Sequence, residues 1–187
     1  MDYYEEIKNI PLNKILVFDV ETTGLNPEKD EILQFSASDG SGKELMNMYF
    51  KPDNHDLWND AEKINHITPV MVKDSPSIKD KIDEIQKLFD NAELYVTYNG
   101  QFDRSFLDAA GVKNVLDLKD NKEFDVMLSF AEVYGEWNEH FQNYKWQKLV
   151  KAASFYGFDW NQYDAHNSMS DVIATLFVFN QIIGRDV

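Results

Sequence analysis

The stretch Lys14-Ile15-Leu16-Val17-Phe18-Asp19-Val20-Glu21-Thr22-Thr23-Gly24 decides how this chain is read. Ile15 to Phe18 is β-branched and aromatic enough for a buried strand, expected to end at Gly24. Side chains at i and i+2 leave a strand on the same face, so Asp19 and Glu21 project together from its polar end. Neighbouring carboxylates repel each other unless a cation lies between them. Oxygen ligands on a strand end suit a hard ion such as Mg²⁺ or Mn²⁺. Two solvated acids at a strand terminus are the ordinary alternative, and this pair alone leaves both readings open.

Working outward, Glu31–Ala37 and Glu44–Phe50 read as two more strands, joined by the turn Asp39-Gly40-Ser41-Gly42. Ser75-Pro76-Ser77 opens a helix whose apolar face is Ile78, Ile82, Ile85 and Phe89. A strand, Leu94–Tyr98, comes next, then a helix from about Gln101 to Ala110 stopped by Gly111. Asp117–Glu123 reads as a polar loop and Asp125–Tyr134 as a helix. Trp146, Leu149, Val150 and Ala153 read as a further helical stripe, capped by Gly157. Met169–Ile183 is apolar on most sides and is expected to be a buried helix. A strand meander followed by helices interleaved with a further strand predicts the α/β class, a central mixed β-sheet flanked by α-helices. No repeat, low-complexity tract or Gly/Ser-rich linker divides the 187 residues. One domain, 1–187, with its core from about 14 to 183, is expected.

Composition narrows the function. Apolar residues make up 43% and aromatics 14%, enough for a packed interior. No apolar run is long enough for a bilayer, and Met1-Asp2-Tyr3-Tyr4-Glu5-Glu6 lacks the parts of a signal peptide. The absence of cysteine excludes disulfides, thiolate zinc sites and cysteine nucleophiles; a cytoplasmic location is the expectation. The net charge of −15, from 18 Lys+Arg against 33 Asp+Glu, repels phosphate backbones at long range. A nucleic-acid enzyme of this composition needs metal ions and a local basic strip, or a partner that supplies affinity.

Further acids stand at suggestive places. Asn99-Gly100-Gln101-Phe102-Asp103 puts Asp103 in a first helical turn just past the carboxyl end of a strand, where open α/β sheets place their sites. A helix dipole alone also attracts an acid there. In His166-Asn167-Ser168-Met169-Ser170-Asp171, Ser168 and Asp171 fit a capping box. The functional alternative is that Asp171 completes a metal cage with His166 beside it as a base.

The joint order of these pieces resembles the DnaQ-like, or DEDDh, family of 3′-to-5′ exonucleases. Its three motifs are matched by "FDVETTGL", "YNGQFDRSFL" and "HNSMSD", with connecting matches in "INHITPVMV" and "WQKLVKAASFYGFDW". The resemblance runs from about Lys14 to Ile183. It implies an RNase H-like fold, metal-binding acids at Asp19, Glu21, Asp103 and Asp171, and a general base at His166. A histidine five positions before Asp171, with Asn167 where a sister subclass has tyrosine, implies the histidine type. The implied chemistry uses two divalent ions, Mg²⁺ or Mn²⁺, about 4 Å apart around the scissile phosphate. His166 would take a proton from the attacking water, and nucleoside 5′-monophosphates would leave single-stranded DNA 3′ ends.

In the same resemblance Thr22, Thr23 and Gly24 meet the terminal nucleotide, and Leu25 is either a wedge on the last bases or an anchor in the core. Asn99 orders the site, touches substrate or N-caps its helix. Tyr98 stands where relatives often have histidine, and Ser168 replaces a frequent alanine, a change expected to improve capping. Lys145, Lys148 and Lys151, three apart on one helix, read as a solvated face before phosphate contacts, and His66 and Trp160 as structural. The alternatives are an exonuclease trimming RNA ends and, less favoured because all five positions are filled, a silent interaction module. A polymerase or homodimer partner stays open and no membrane partner is expected. Only Gly184–Val187 follow the last helix, which disfavours a C-terminal polymerase-binding segment.

Overall fold

The computed structural model describes residues 3–117, 122–163 and 165–185. A short helix α1 (Tyr3–Lys8) leads into β1 (Ile15–Thr22), β2 (Ile32–Asp39) and β3 (Glu44–Tyr49). Two short helices, α2 (Asn59–Asn65) and α3 (Pro69–Val72), precede α4 (Ile82–Asn91) and β4 (Leu94–Thr97). Then come α5 (Gly100–Ala110), β5 (Glu123–Asp125), α6 (Val126–Tyr134), the two-residue strands β6 (Trp137–Asn138) and β7 (Asn143–Tyr144), α7 (Leu149–Phe155) and α8 (Ser168–Ile183).

Five strands make one mixed sheet in the order β3-β2-β1-β4-β5. The meander β1-β2-β3 is antiparallel, whereas β4 pairs parallel to β1 and β5 parallel to β4. The expected α/β sheet flanked by helices is the fold that forms. Strand alternation divides the core of β1 between two layers. Ile15 and Val17 pack with the buried side chains of α6, α7 and α8, while Leu16, Phe18 and Val20 pack with α4 and α5. Asp19 and Glu21 share the parity of Ile15 and Val17 and so emerge on the α8 side.

The turn after β2 forms as its residues dictate: Asp39 Oδ1 accepts from the backbone N–H groups of Ser41 (2.8 Å) and Lys43 (3.1 Å), and Gly42 takes φ +82°. The helix before β4 begins with a 3₁₀ turn, Ile78–Lys81, capped by the Ser77 hydroxyl. Gly111 ends α5 in the left-handed region, as expected of a glycine stop.

Three expectations are corrected. Glu123–Asp125, placed at the loop's end and the next helix's start, is the edge strand β5; three residues with one buried, Phe124, show no alternation to detect. The part of that loop from 118 to 121 lies outside the described residues. The stripe beginning at Trp146 starts later: α7 opens at Leu149, and Trp146 is exposed in the chain leaving the β6–β7 hairpin. Accordingly Lys145, Lys148 and Lys151 do not share a helix; Lys148 is the N-terminal flank of α7 and only Lys151 lies within it. Among the described residues no helix is long and apolar enough to cross a membrane.

Candidate functional site

The site lies where β1 outruns β4. Their parallel pairing ends at Val17 opposite Val96, so the last residues of β1 have no neighbour on that side. The N–H of Val20 is taken instead by Asp103 Oδ1 at 3.3 Å, from the first turn of α5. This follows from chain order, because α5 starts directly after β4 and its first turn stands over the vacated edge. On the other side, α8 crosses β1 and β2.

The start of α8 is pinned by buried polar bonds. Ser168 and Ser36 share a hydroxyl hydrogen bond of 2.6 Å, and Ser36 donates to Asn47 Oδ1 at 3.1 Å. Gln34 donates to the same Asn47 oxygen at 3.0 Å and accepts from the Ser168 N–H at 3.4 Å. The capping-box expectation is therefore corrected. Asn167 is the N-cap, accepting from Met169 N–H at 3.2 Å, and Ser168 points into the sheet rather than along the helix. The Ser168 hydroxyl thus finds its partner in Ser36.

Asp171 is one turn into α8, on the face toward β1. Oxygens of Asp19, Glu21 and Asp171 all lie within 4.8 Å of one another, and all three residues are partly buried. No Lys or Arg forms an ion pair with them among the described residues. Burial raises all of these carboxyls, with mutual repulsion adding to it at Asp19 and Glu21. Burial, then Asp103, Asp171 and Glu21, push Asp19 well above the usual range. Glu21 is pushed up to about 9 by burial and by Asp171 and Asp103, against a hydrogen bond from Asn65. Asp171 rises to about 6 through burial, opposed by the His166 N–H. Asp103 is 2% exposed and raised by burial, opposed by the Val20 N–H. It stands beside the three-acid cluster, not within it. Three clustered hard oxygen donors without a cationic side chain fit a divalent ion.

His166 sits in the loop before α8 with φ +66°, and its ring is exposed at the lip. Partial burial, Lys148 and His66 hold its imidazole below the ordinary value, so the ring is neutral at pH 7. His66, in the left-handed cap of α2, and Tyr163 line the same cleft as His166. Trp160 packs its ring edge-on against Phe158 at 4.9 Å, beside the α6–α8 core.

The loop after β1 is held from below. Thr22 Oγ1 donates to Gly24 O at 2.6 Å, and Thr23 N–H donates to Glu31 O at 2.8 Å. A side chain at Gly24 would meet the Asp30 carboxyl at 2.5 Å and would have to displace it. Leu25 is 83% exposed, which rules out the core-anchor alternative. Asn99 is exposed in the left-handed region (φ +67°) and makes no side-chain cap, correcting that expectation. Asp125 does the holding there, accepting from the N–H groups of Asn99 (3.3 Å) and Gly100 (3.2 Å) while capping α6.

Sequence reasoning missed Asn65 and Asp125. Asn65 Nδ2 donates to Thr22 O at 3.1 Å, and the side chain also bonds Glu21. It lies within "INHITPVMV", and a buried asparagine at a helix end is the signal that could have flagged it.

The family model for the RNase T exonucleases matches residues 16–179. The chain is 25% identical over 178 residues to a PolC-type DNA polymerase III of Staphylococcus epidermidis, covering 94% of this chain and 12% of that one. It is 26% identical over 170 residues to the Staphylococcus aureus enzyme of the same description, covering 90% and 11%. The chain thus spans about an eighth of the length of these relatives. Among solved structures, E. coli exonuclease I in complex with a dT13 oligonucleotide superposes with a TM-score of 0.73 at 22% identity, covering 91% of this chain and 41% of that one. Exonuclease X in complex with 5′ overhanging duplex DNA superposes with a TM-score of 0.65 at 21% identity, covering 91% of both chains. The chain belongs to the RNase T exonuclease family and, within it, to the DnaQ-like exonucleases of RNase H-like fold.

Proposed function

We propose that this protein is a metal-dependent 3′-to-5′ exonuclease of the histidine type, removing nucleoside 5′-monophosphates from single-stranded DNA 3′ ends. The observation that carries the reading is the cluster of Asp19, Glu21 and Asp171, whose oxygens lie within 4.8 Å of one another and which form no ion pair with Lys or Arg among the described residues. Bound Mg²⁺ or Mn²⁺ would supply Lewis-acid stabilisation of phosphate charge. Asp19, Glu21 and Asp171 would hold it, and Asp103 would join through its other oxygen, two ions being the count we infer. His166, neutral at pH 7, would accept the proton of the attacking water from its loop. The backbone of Thr22, Thr23 and Gly24 would meet the terminal nucleotide, and exposed Leu25 would wedge against its base. Asn99, held by Asp125, would order the substrate end of α5. The family match across residues 16–179 supports reading these parts as one exonuclease domain. DNA is favoured because the DNA polymerase relatives and the exonuclease–DNA complexes are what this chain resembles.

The test is digestion of 5′-labelled single-stranded oligonucleotides, in DNA and RNA versions, with Mg²⁺, Mn²⁺ or EDTA. A ladder shortening from the 3′ end, 5′-mononucleotide products and full inhibition by EDTA support the proposal. Products released from the 5′ end, or cleavage that survives EDTA, overturn it. Faster RNA trimming overturns the substrate assignment alone.

A further inference from the structure

The β6–β7 hairpin and the chain leaving it present a cluster of aromatic rings to solvent. Phe141 is 69% exposed and Trp146 63%, with Trp137 at 43% and Tyr144 at 38%. Trp137 and Tyr144 brace each other edge-on at 5.2 Å across the two strands. Phe141, Tyr144 and Trp146 line one shallow groove together with Lys145. Two-residue strands with exposed rings add nothing to the main core, so burial does not explain them.

Charge adds a second, independent observation. From Glu123 to Gly184 the chain carries only three Lys or Arg residues, Lys145, Lys148 and Lys151, all beside this hairpin. Lys145 is paired with Glu136 at 2.8 Å, whereas Lys148 and Lys151 form no ion pair among the described residues, so on a protein of net charge −15 these two are the cations open to a polyanion here. The stretch is continuous with the candidate site: Tyr98 Oη, next to Asn99, donates to Gln147 O at 2.7 Å. Lys148 also lies close enough to His166 to influence its imidazole.

We infer that the β6–β7 hairpin and the Trp146–Lys151 segment form a docking surface for single-stranded DNA upstream of the 3′ end, bases stacking on Phe141 and Trp146 and phosphates meeting Lys148. Aromatic stacking with flanking cations is the chemistry by which a strand is held regardless of sequence. The inference rests on the proposed exonuclease reading and assigns it an extended substrate.

The test compares a labelled oligothymidylate of about twenty nucleotides with a thymidine trinucleotide, which reaches only the site. The double variant Phe141→Ala/Trp146→Ala should weaken binding of the long strand ~10-fold or more, measured by anisotropy in EDTA. It should leave kcat/KM on the trinucleotide with Mg²⁺ unchanged, and Phe141→Tyr/Trp146→Phe should restore long-strand binding. Unchanged long-strand affinity, or an equal loss on both substrates, overturns the inference. Wild-type protein that cleaves neither substrate, yet binds the long strand only with its aromatic rings intact, would sink the exonuclease reading and leave this surface standing.

Discussion

Replacing Glu21 by glutamine should stabilise the metal-free protein. The folded state holds the Glu21 carboxyl up to about 9, against an ordinary value of 4.5. Between those values the folded protein keeps a proton that the unfolded chain releases, so stability falls as pH rises through this window. Each unit is worth about 1.4 kcal/mol, and the 2.5 units from 4.5 to pH 7 give about 3 kcal/mol. Glutamine has no proton to retain and keeps the shape, so the Glu21→Gln variant avoids that loss. For a chain of this length the gain is a rise in Tm of roughly 6–12 °C at pH 7. Thermal unfolding in EDTA at pH 4.5, 7 and 8 measures it: the difference should vanish at the lowest pH and grow toward the highest. Mn²⁺ should then reverse the order, stabilising wild type more than the variant. Equal Tm values at pH 7, or a variant less stable at every pH, would refute the picture of a crowded, cation-seeking cluster.

Other outcomes follow from the same geometry. Asp19→Asn should abolish cleavage while circular dichroism and Tm show an intact fold; retained turnover would remove Asp19 from the reacting centre. His166→Ala should slow turnover roughly 10²–10⁴-fold with Mn²⁺ affinity preserved, the outcome the proposed base role requires; lost Mn²⁺ affinity would make it a ligand instead. Because His166 is held below its ordinary value, activity should rise with pH along an acid limb lying below pH 6.5, read from kcat/KM against pH. Ser168→Ala removes one of the two buried side-chain hydrogen bonds of Ser36, which keeps Asn47, and should cost about 0.5–1.5 kcal/mol in denaturant unfolding, with weaker Mn²⁺ binding as Asp171 loosens.

The site was legible in the sequence wherever chemistry and strand parity coincide. Asp19 and Glu21 share a face by the two-residue period, and that face is the one α8 covers. Asp103 and Asp171 were visible because each opens a helix at a recognisable boundary, after β4 and after the His166 loop. What stayed hidden depends on contacts between distant segments. Asn65 bonds the backbone of Thr22 from 43 positions away, and Ser168 turns from its own helix to Ser36 across 132. Local pattern favours a capping role for Ser168; Asn167 takes the cap instead, and the Ser168 hydroxyl joins the buried network of Ser36 and Asn47. The strand β5 escaped because three residues carry no period, and the β6–β7 hairpin because its rings imitate a helical stripe.

The most direct test of the metal centre is an anomalous difference map from crystals soaked in Mn²⁺. The account predicts a peak among Asp19, Glu21 and Asp171, with oxygens near the ~2.0–2.1 Å expected of a small hard divalent ion. Manganese bound elsewhere, with those three carboxylates left unligated in crystals of an active enzyme, would contradict it.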